Sequence, residues 1–345
     1  MTIPSLHPRD ALFDAADRVV ALPVCDHYAG VETRMRKALA LQADLGPVFD
    51  VTLDCEDGAP VGGELDHARM VAELVMSSAN VHGRVGARLH PRDHRHFESD
   101  VDTLVGRAGE RLAFLMVPKP TTLADVEQAC QAIDAATRRN GLERIIPLHA
   151  LIETHGALRE VEAIAAHPRI ESLSFGLMDF VSAHRGAIPA EAMSANGQFS
   201  HPLVVRAKLA VAAACHGHAK TPSHCVVTEF KDAAALGAAA RRAAREFGYT
   251  RMWSIHPDQI RPIVAAFAPS ANEVETAADI IEAAQAAQWA PIRHADQLHD
   301  RASYRYFWQV LERAFRTGVA LPLSVQRAFF TEPGRGAQQP GQGPA

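Results

Sequence analysis

The chain has 345 residues, 48% of them hydrophobic and 22% charged, with a formal net charge of −5. This is the composition of an ordinary globular protein able to build a large core, and its acidic balance gives no reason to expect a nucleic-acid or polyanionic partner. Five scattered cysteines without a C-x-x-C pair argue against a disulfide framework or a thiolate zinc site and fit a reducing cytoplasm.

The first 18 residues carry acids and break where a signal peptide needs an apolar core. No run approaches the ~18 apolar residues of a membrane-spanning helix, so a soluble protein with no membrane partner is expected. Apolar runs rich in Val, Ile and Leu then follow at 19–24, 48–53, 85–89, 112–117, 145–152, 170–177, 225–228 and 252–255. Such runs suit parallel strands covered on both faces. Longer stretches of helical period separate them. After the fourth, Leu123, Val126, Cys130 and Ile133 share one helical face, and Thr122 with Asp125 has the pattern of a capping box.

Eight strand-helix units in the first ~270 residues predict an α/β fold, a (β/α)8 TIM barrel over residues 1–269. Ser270, with Glu273 three positions on, opens a further helix. A second amphipathic stretch then carries Tyr306, Phe307 and Leu311. Together they predict a C-terminal helical extension over 270–318, acting as a lid or an oligomer contact. Residues 319–345, rich in Pro, Gly and Gln, are expected to form a flexible tail.

Catalytic groups of such barrels lie at the C-terminal ends of the strands. The residues expected there are Pro23, Asp54 with Glu56 and Asp57, Arg88, Lys119, Glu153, Asp179 and His256. Glu153 and Asp179 each end an apolar run, where an unpaired carboxylate is costly. Mg2+ takes one or two protein carboxylates and keeps positions open for water and substrate, so one ion shared by Glu153 and Asp179 would supply the missing partner, with Mn2+ as the alternative metal. The competing reading pairs each acid with an arginine or a helix N-terminus. Arg88 offers a fixed fork of donors for a carboxylate or enolate oxygen, or a salt bridge to Asp54 or Glu56.

Other residues invite chemistry with less support. Lys119 could form a Schiff base, but it sits between Pro118 and Pro120 and reads better as structural. His90, His94 and His96 suggest zinc, yet no convergent further ligand is visible. Trp253 reads as core.

The ordered set "TLDCEDGAP", "ARLHP", "MVPKP", "LIETHGAL", "SFGLMDF" and "SIHPDQIRPIVAAFAPSANEVE" resembles the citrate lyase beta-subunit and malyl-CoA lyase group of the HpcH/HpaI aldolase superfamily, over about residues 17–315. The resemblance implies a Mg2+-dependent barrel that makes or breaks a carbon-carbon bond between an acyl-CoA enolate and a 2-oxo acid. It gives the metal to Glu153 and Asp179 and the oxyanion or carboxylate role to Arg88. It further implies a homotrimer or larger homo-oligomer in which Asp300 reaches a neighbouring subunit as acid/base, with Asp57 the other proton-shuttle candidate. Glu56, Asp54 and Pro118 complete the expected substrate contacts, and Arg34, Arg36 and Lys37 are candidates for the CoA phosphates.

The sequence departs from the pattern at Met178, at His224-Cys225, at His90 and at Ala302, all near the expected site, so the acyl group is open. Two alternatives remain: a class II aldolase acting on CoA-free 4-hydroxy-2-oxo acids, and a noncatalytic subunit that binds a CoA ester or a metal.

Overall fold

The computed structural model describes residues 6–14 and 20–330. The chain divides into two compact units, Val20–Phe267 and a second made of Met1–Val19 with Ala268–Ala345. The first unit is a closed parallel barrel whose strands follow chain order, with β8 returning to pair with β1. Its strands are β1 (Cys25–Ala29), β2 (Phe49–Asp54), β3 (Val85–Arg88), β4 (Leu115–Val117), β5 (Leu148–Ile152), β6 (Ile170–Phe175), β7 (Thr221–His224) and β8 (Arg251–Ser254). The (β/α)8 expectation is met.

Two strands lie elsewhere than the apolar runs suggested. Strand β1 begins after the 19–24 run, of which Val19 lies outside the described residues, and β7 precedes the 225–228 run. The reason is the barrel interior. Tyr28 of β1 hydrogen-bonds Met116 of β4 and Trp253 of β8 donates to Ser174 of β6 at 2.9 Å, so both side chains reach across the inside. By alternation Asp26 also faces in, and with Asp50 of β2 it binds the fully buried Arg251 at 3.0 and 2.5 Å. Paired charges therefore occupy strand positions that an apolar-run rule passes over. Pro23 precedes β1 and accepts a hydrogen bond from Arg251 at 3.0 Å, which removes it from the catalytic rim.

Outward-facing Phe49, Val51, Leu53, Val85 and Ala87 pack under the surrounding helices and form the main core. The helices are α2 (Glu32–Leu45), α3 (Glu64–Met76), α4 (Phe97–Ala108), α5 (Leu123–Arg139), the short α6 (His155–Arg159) and α7 (Val161–Ala166), α8 (Leu177–Ser182), α9 (Pro202–Gly217), α10 (Ala233–Arg245) and α11 (Pro257–Phe267). Helix α5 carries the full capping box of Thr122 and Asp125.

The second unit contains α1 (Pro8–Leu12), α12 (Ala271–Ala286), a hairpin of β9 (Ile292–His294) and β10 (Gln297–His299), α13 (Arg301–Arg316) and α14 (Leu323–Val325). Ser270 and Glu273 cap α12 reciprocally. Its own core joins Leu12, Ile281, Tyr304, Trp308 and Leu311. The expected tail is ordered through Phe330: α14 runs into a π-helical turn over Gln326–Phe330, with Val325 and Phe329 buried in that core, and only 331–345 lie outside the described residues. Among the described residues no helix is long and apolar enough to cross a membrane.

Candidate active site

The site is built on the C-terminal ends of β2 to β6. Asp54 and Arg88 end neighbouring strands in register, so their side chains meet on the inner face. Arg88 donates Nε to Asp54 Oδ1 at 2.7 Å and Nη2 to Oδ2 at 2.5 Å, and its Nη1 lies 3.0 Å from Glu56 Oε2. Asp54 also accepts the backbone N–H of Glu56 at 3.0 Å and of Gly58 at 2.7 Å. Four donors occupy its two oxygens, so Asp54 fixes Arg88 and the turn behind it and has no free face for substrate. Burial opposes the charge on Arg88, but Asp54, Tyr28 and Glu56 outweigh it and hold the guanidinium firmly protonated. Deleting one partner of such a buried pair typically costs about 3–5 kcal/mol.

Under Arg88 lies an aromatic floor. The guanidinium carbon is 5.3 Å from the Tyr28 ring centre, and Tyr28 packs on Trp253 at 4.2 Å. Trp253 is thus part of a buried layer with Met116 and Leu151. Tyr28 was not legible as a site residue, because nothing local in "CDHYAG" shows that β1 closes against β8.

Glu153 follows β5 and is buried, with 3% of its surface exposed. Its Oε1 accepts the backbone N–H of Lys119 at 3.0 Å. Among the described residues it has no cationic side chain within ion-pair distance. Burial first, then the charges of Asp179 and Glu56, push its carboxyl well above the ordinary range despite Arg88 and Lys119. Gly176, directly after β6, makes room for it: a Cβ there would stand 2.2 Å from Glu153 Oε2. Asp179 lies in the first turn of α8 with its side chain half-exposed.

Lys119 links the acids. Its Nζ is 2.5 Å from Glu56 Oε1, 2.8 Å from Asp57 Oδ2 and 3.7 Å from Asp179 Oδ1. Burial disfavours the ammonium, but Asp57, Glu56 and Asp179 outweigh it and raise its pKa. A Schiff base needs the neutral amine, so the structure supports the structural reading of Lys119. Burial likewise works against Asp57, yet the hydrogen bond and charge of Lys119 win and lower its carboxyl, whereas burial dominates at Glu56 and raises it. Pro118 is buried beside Lys119.

The structure therefore brings together Asp54, Glu56, Asp57, Arg88, Pro118, Glu153 and Asp179. Asp300 belongs to the second unit, where it caps α13 by accepting from Ala302 and Ser303 N–H at 3.0 and 3.3 Å. His90, His94 and His96 stand within 5.6 Å of one another by ring centres, but His90 is tied to Asp100 at 2.6 Å. Among the described residues no group of three or more His, Cys, Asp or Glu is arranged to hold a metal. The zinc reading has no support there.

The mouth holds five carboxylates (Asp54, Glu56, Asp57, Glu153, Asp179) against the two cations Arg88 and Lys119. These acids and the guanidinium stand at the C-terminal strand ends, where (β/α)8 enzymes carry their catalytic groups. The family model "HpcH/HpaI aldolase/citrate lyase" matches residues 34–257. The chain belongs to that family. A solved citrate lyase from Burkholderia xenovorans LB400 is 54% identical, with a TM-score of 0.81 over 92% of this chain and 98% of that one. An L-malyl-CoA/beta-methylmalyl-CoA lyase of Cereibacter sphaeroides is 29% identical over 248 residues, 69% of this chain and 77% of the relative. The protein CitE of Mycobacterium tuberculosis, solved with magnesium, acetoacetate and coenzyme A, shares the fold at a TM-score of 0.66 and 19% identity, over 86% of this chain and 99% of that one.

Proposed function

We propose that the protein is a Mg2+-dependent carbon-carbon lyase that cleaves or forms a 3-hydroxyacyl-CoA thioester, exchanging it with a 2-oxo acid and an acyl-CoA. The observation that carries this reading is the buried Glu153, without a cationic side chain of its own, sharing the barrel mouth with Asp179 beside an anchored Arg88. Two hard carboxylate oxygens and an excess of negative charge fit Mg2+, with Mn2+ as a substitute. Glu153 and Asp179 would hold the ion, and when bound it supplies positive charge that lowers the cost of negative charge on substrate oxygens.

The remaining tasks fall to side chains. Three of the five N–H groups of Arg88 face Asp54 and Glu56, which leaves two for the substrate carboxylate or the enolate oxygen formed as the bond breaks. Glu56 and Pro118 line the approach to it. Cleavage also requires a base to take the hydroxyl proton. Asp57, lowered by Lys119, is a weak acceptor, so the reading assigns that task to Asp300 of a neighbouring subunit. A homotrimer or larger assembly follows, supported by the exposed Leu298, Tyr306 and Phe315 of the second unit. Lys37 borders a hollow of about 460 Å³ with Leu41, Pro257, Asp258 and Arg261, and with Arg34 one turn earlier on α2 it is a candidate for the CoA phosphates. Arg36 already pairs with Glu32 at 2.6 Å. The five unpaired cysteines support a cytoplasmic location.

The test is release of free thiol and 2-oxo acid from malyl-, citramalyl- and citryl-CoA. Turnover of at least one, abolished by chelation and lowered about 100-fold or more by Arg88→Lys, is expected. Cleavage of CoA-free 4-hydroxy-2-oxo acids alone would move the protein to the aldolases, and no turnover across the panel would make it a silent binder.

A further inference from the structure

One residue touches every acid of the mouth except Asp54. The backbone of Lys119, at φ +49° between two prolines, directs its N–H to Glu153. Its ammonium meanwhile spans Glu56, Asp57 and Asp179. A non-glycine residue in the left-handed region is uncommon and persists where surroundings hold it. Here Thr154 bonds Pro120 O at 2.6 Å, and Gly156 lies so close to Thr121 that a Cβ would stand 2.1 Å from its carbonyl oxygen. The main chain of Lys119 is thus fixed against the β5 loop, and only its side chain is free to move.

The three contacts of the ammonium differ. Glu56 and Asp57 are within hydrogen-bond distance, whereas Asp179, at 3.7 Å, is held by charge alone. A divalent ion held by Glu153 and Asp179 would face the ammonium across the same carboxylate, and like charges at that distance repel. The side chain has a place to go, since Glu56 and Asp57 can keep it. We propose that Lys119 is the resident counter-cation of the acidic mouth, and that a divalent ion binds by exchange, taking the place of the ammonium at Asp179 while Glu56 and Asp57 keep it. Lys119 is then a positioning residue that sets metal affinity. The proposal rests on the metal site proposed above.

The experiment is calorimetric titration of the full chain with Mg2+, for the wild type, Lys119→Met and Lys119→Arg. Exchange predicts that Lys119→Met binds Mg2+ roughly tenfold more tightly, because one competing charge is gone, while Lys119→Arg stays near wild type. Weaker or unchanged binding in Lys119→Met overturns the proposal, since a lysine that only braces the loop would loosen the site when removed.

A second readout does not depend on that variant folding. The chain has five lysines, so reductive 13C-methylation gives few signals, and that of Lys119 is the one absent from Lys119→Arg. Saturating Mg2+ should shift it in wild type and not in Glu153→Ala; no shift in wild type that binds Mg2+ overturns the exchange. Absence of any Mg2+ binding to wild type would instead defeat the metal site itself.

Discussion

At the residue scale, the site depends on space as much as on charge. Glu153 reaches its position because Gly176 has no side chain, and the missing Cβ would otherwise lie 2.2 Å from Glu153 Oε2. A Cβ there would also stand 2.6 Å from Glu153 Cβ, so Gly176→Ala should push the whole Glu153 residue, and with it the carboxylate, away. We expect Mg2+ affinity to fall at least tenfold, read by calorimetry, with a fold that still melts cooperatively. Unchanged affinity would mean that Glu153 is not a ligand. Glu153 and Asp179 were legible because each ends an apolar run, where an unpaired carboxylate is costly, and Arg88 because its charge interrupts one. The role of Asp54 was legible only in part: its type suggested a salt bridge, but its four donors include two backbone groups of a turn that no sequence pattern announces. Glycine 176 was not read as part of the site, since its importance comes from a neighbour 23 positions earlier in the chain.

At the element scale, six of the eight strands overlap the apolar runs and two do not. Strand β7 reads "TPSH", with no large apolar residue, and its buried His224 is held by a partner on another element. His224 accepts from Lys208 Nζ of α9 at 2.9 Å, and the same ammonium donates to Gln198 at 2.7 Å and lies 4.0 Å from the Phe199 ring centre. Lys208 has no exposed surface and, among the described residues, no carboxylate partner. Burial lowers its amine from 10.5 to about 8. Between those values the unfolded chain binds more protons than the folded one, so stability from this residue is full above 10.5 and is lost as pH falls through about 8. Urea unfolding of wild type and Lys208→Met at pH 7 and pH 10 should show wild type gaining on the variant by on the order of 2 kcal/mol at the higher pH. A gap independent of pH would show that Lys208 is not the titrating group.

At the scale of the whole molecule, the alternation of runs and helical stretches was enough to identify the barrel, because closure needs only eight repeats of one unit. The division of the chain was harder to read. Helix α1 belongs with the C-terminal helices, Leu12 packing in their core, and chain order alone gives no sign of that return. The first part of the expected tail, through Phe330, is helical and partly buried for a related reason. Val325 and Phe329 are two apolar residues in a short segment, and their burial depends on a surface supplied by α13 and its neighbours. In the proposed function both units are needed: the barrel would carry the metal beside Arg88, and the second unit would supply Asp300 to a neighbouring copy.

That account centres on a divalent ion between Glu153 and Asp179. The most direct measurement is an anomalous difference map from crystals of the full chain grown with Mn2+. It should show one strong peak at about 2.1 Å from a carboxylate oxygen of each residue, with the Lys119 ammonium withdrawn from Asp179. A peak at His90, His94 and His96, or no peak in the barrel mouth, would contradict it.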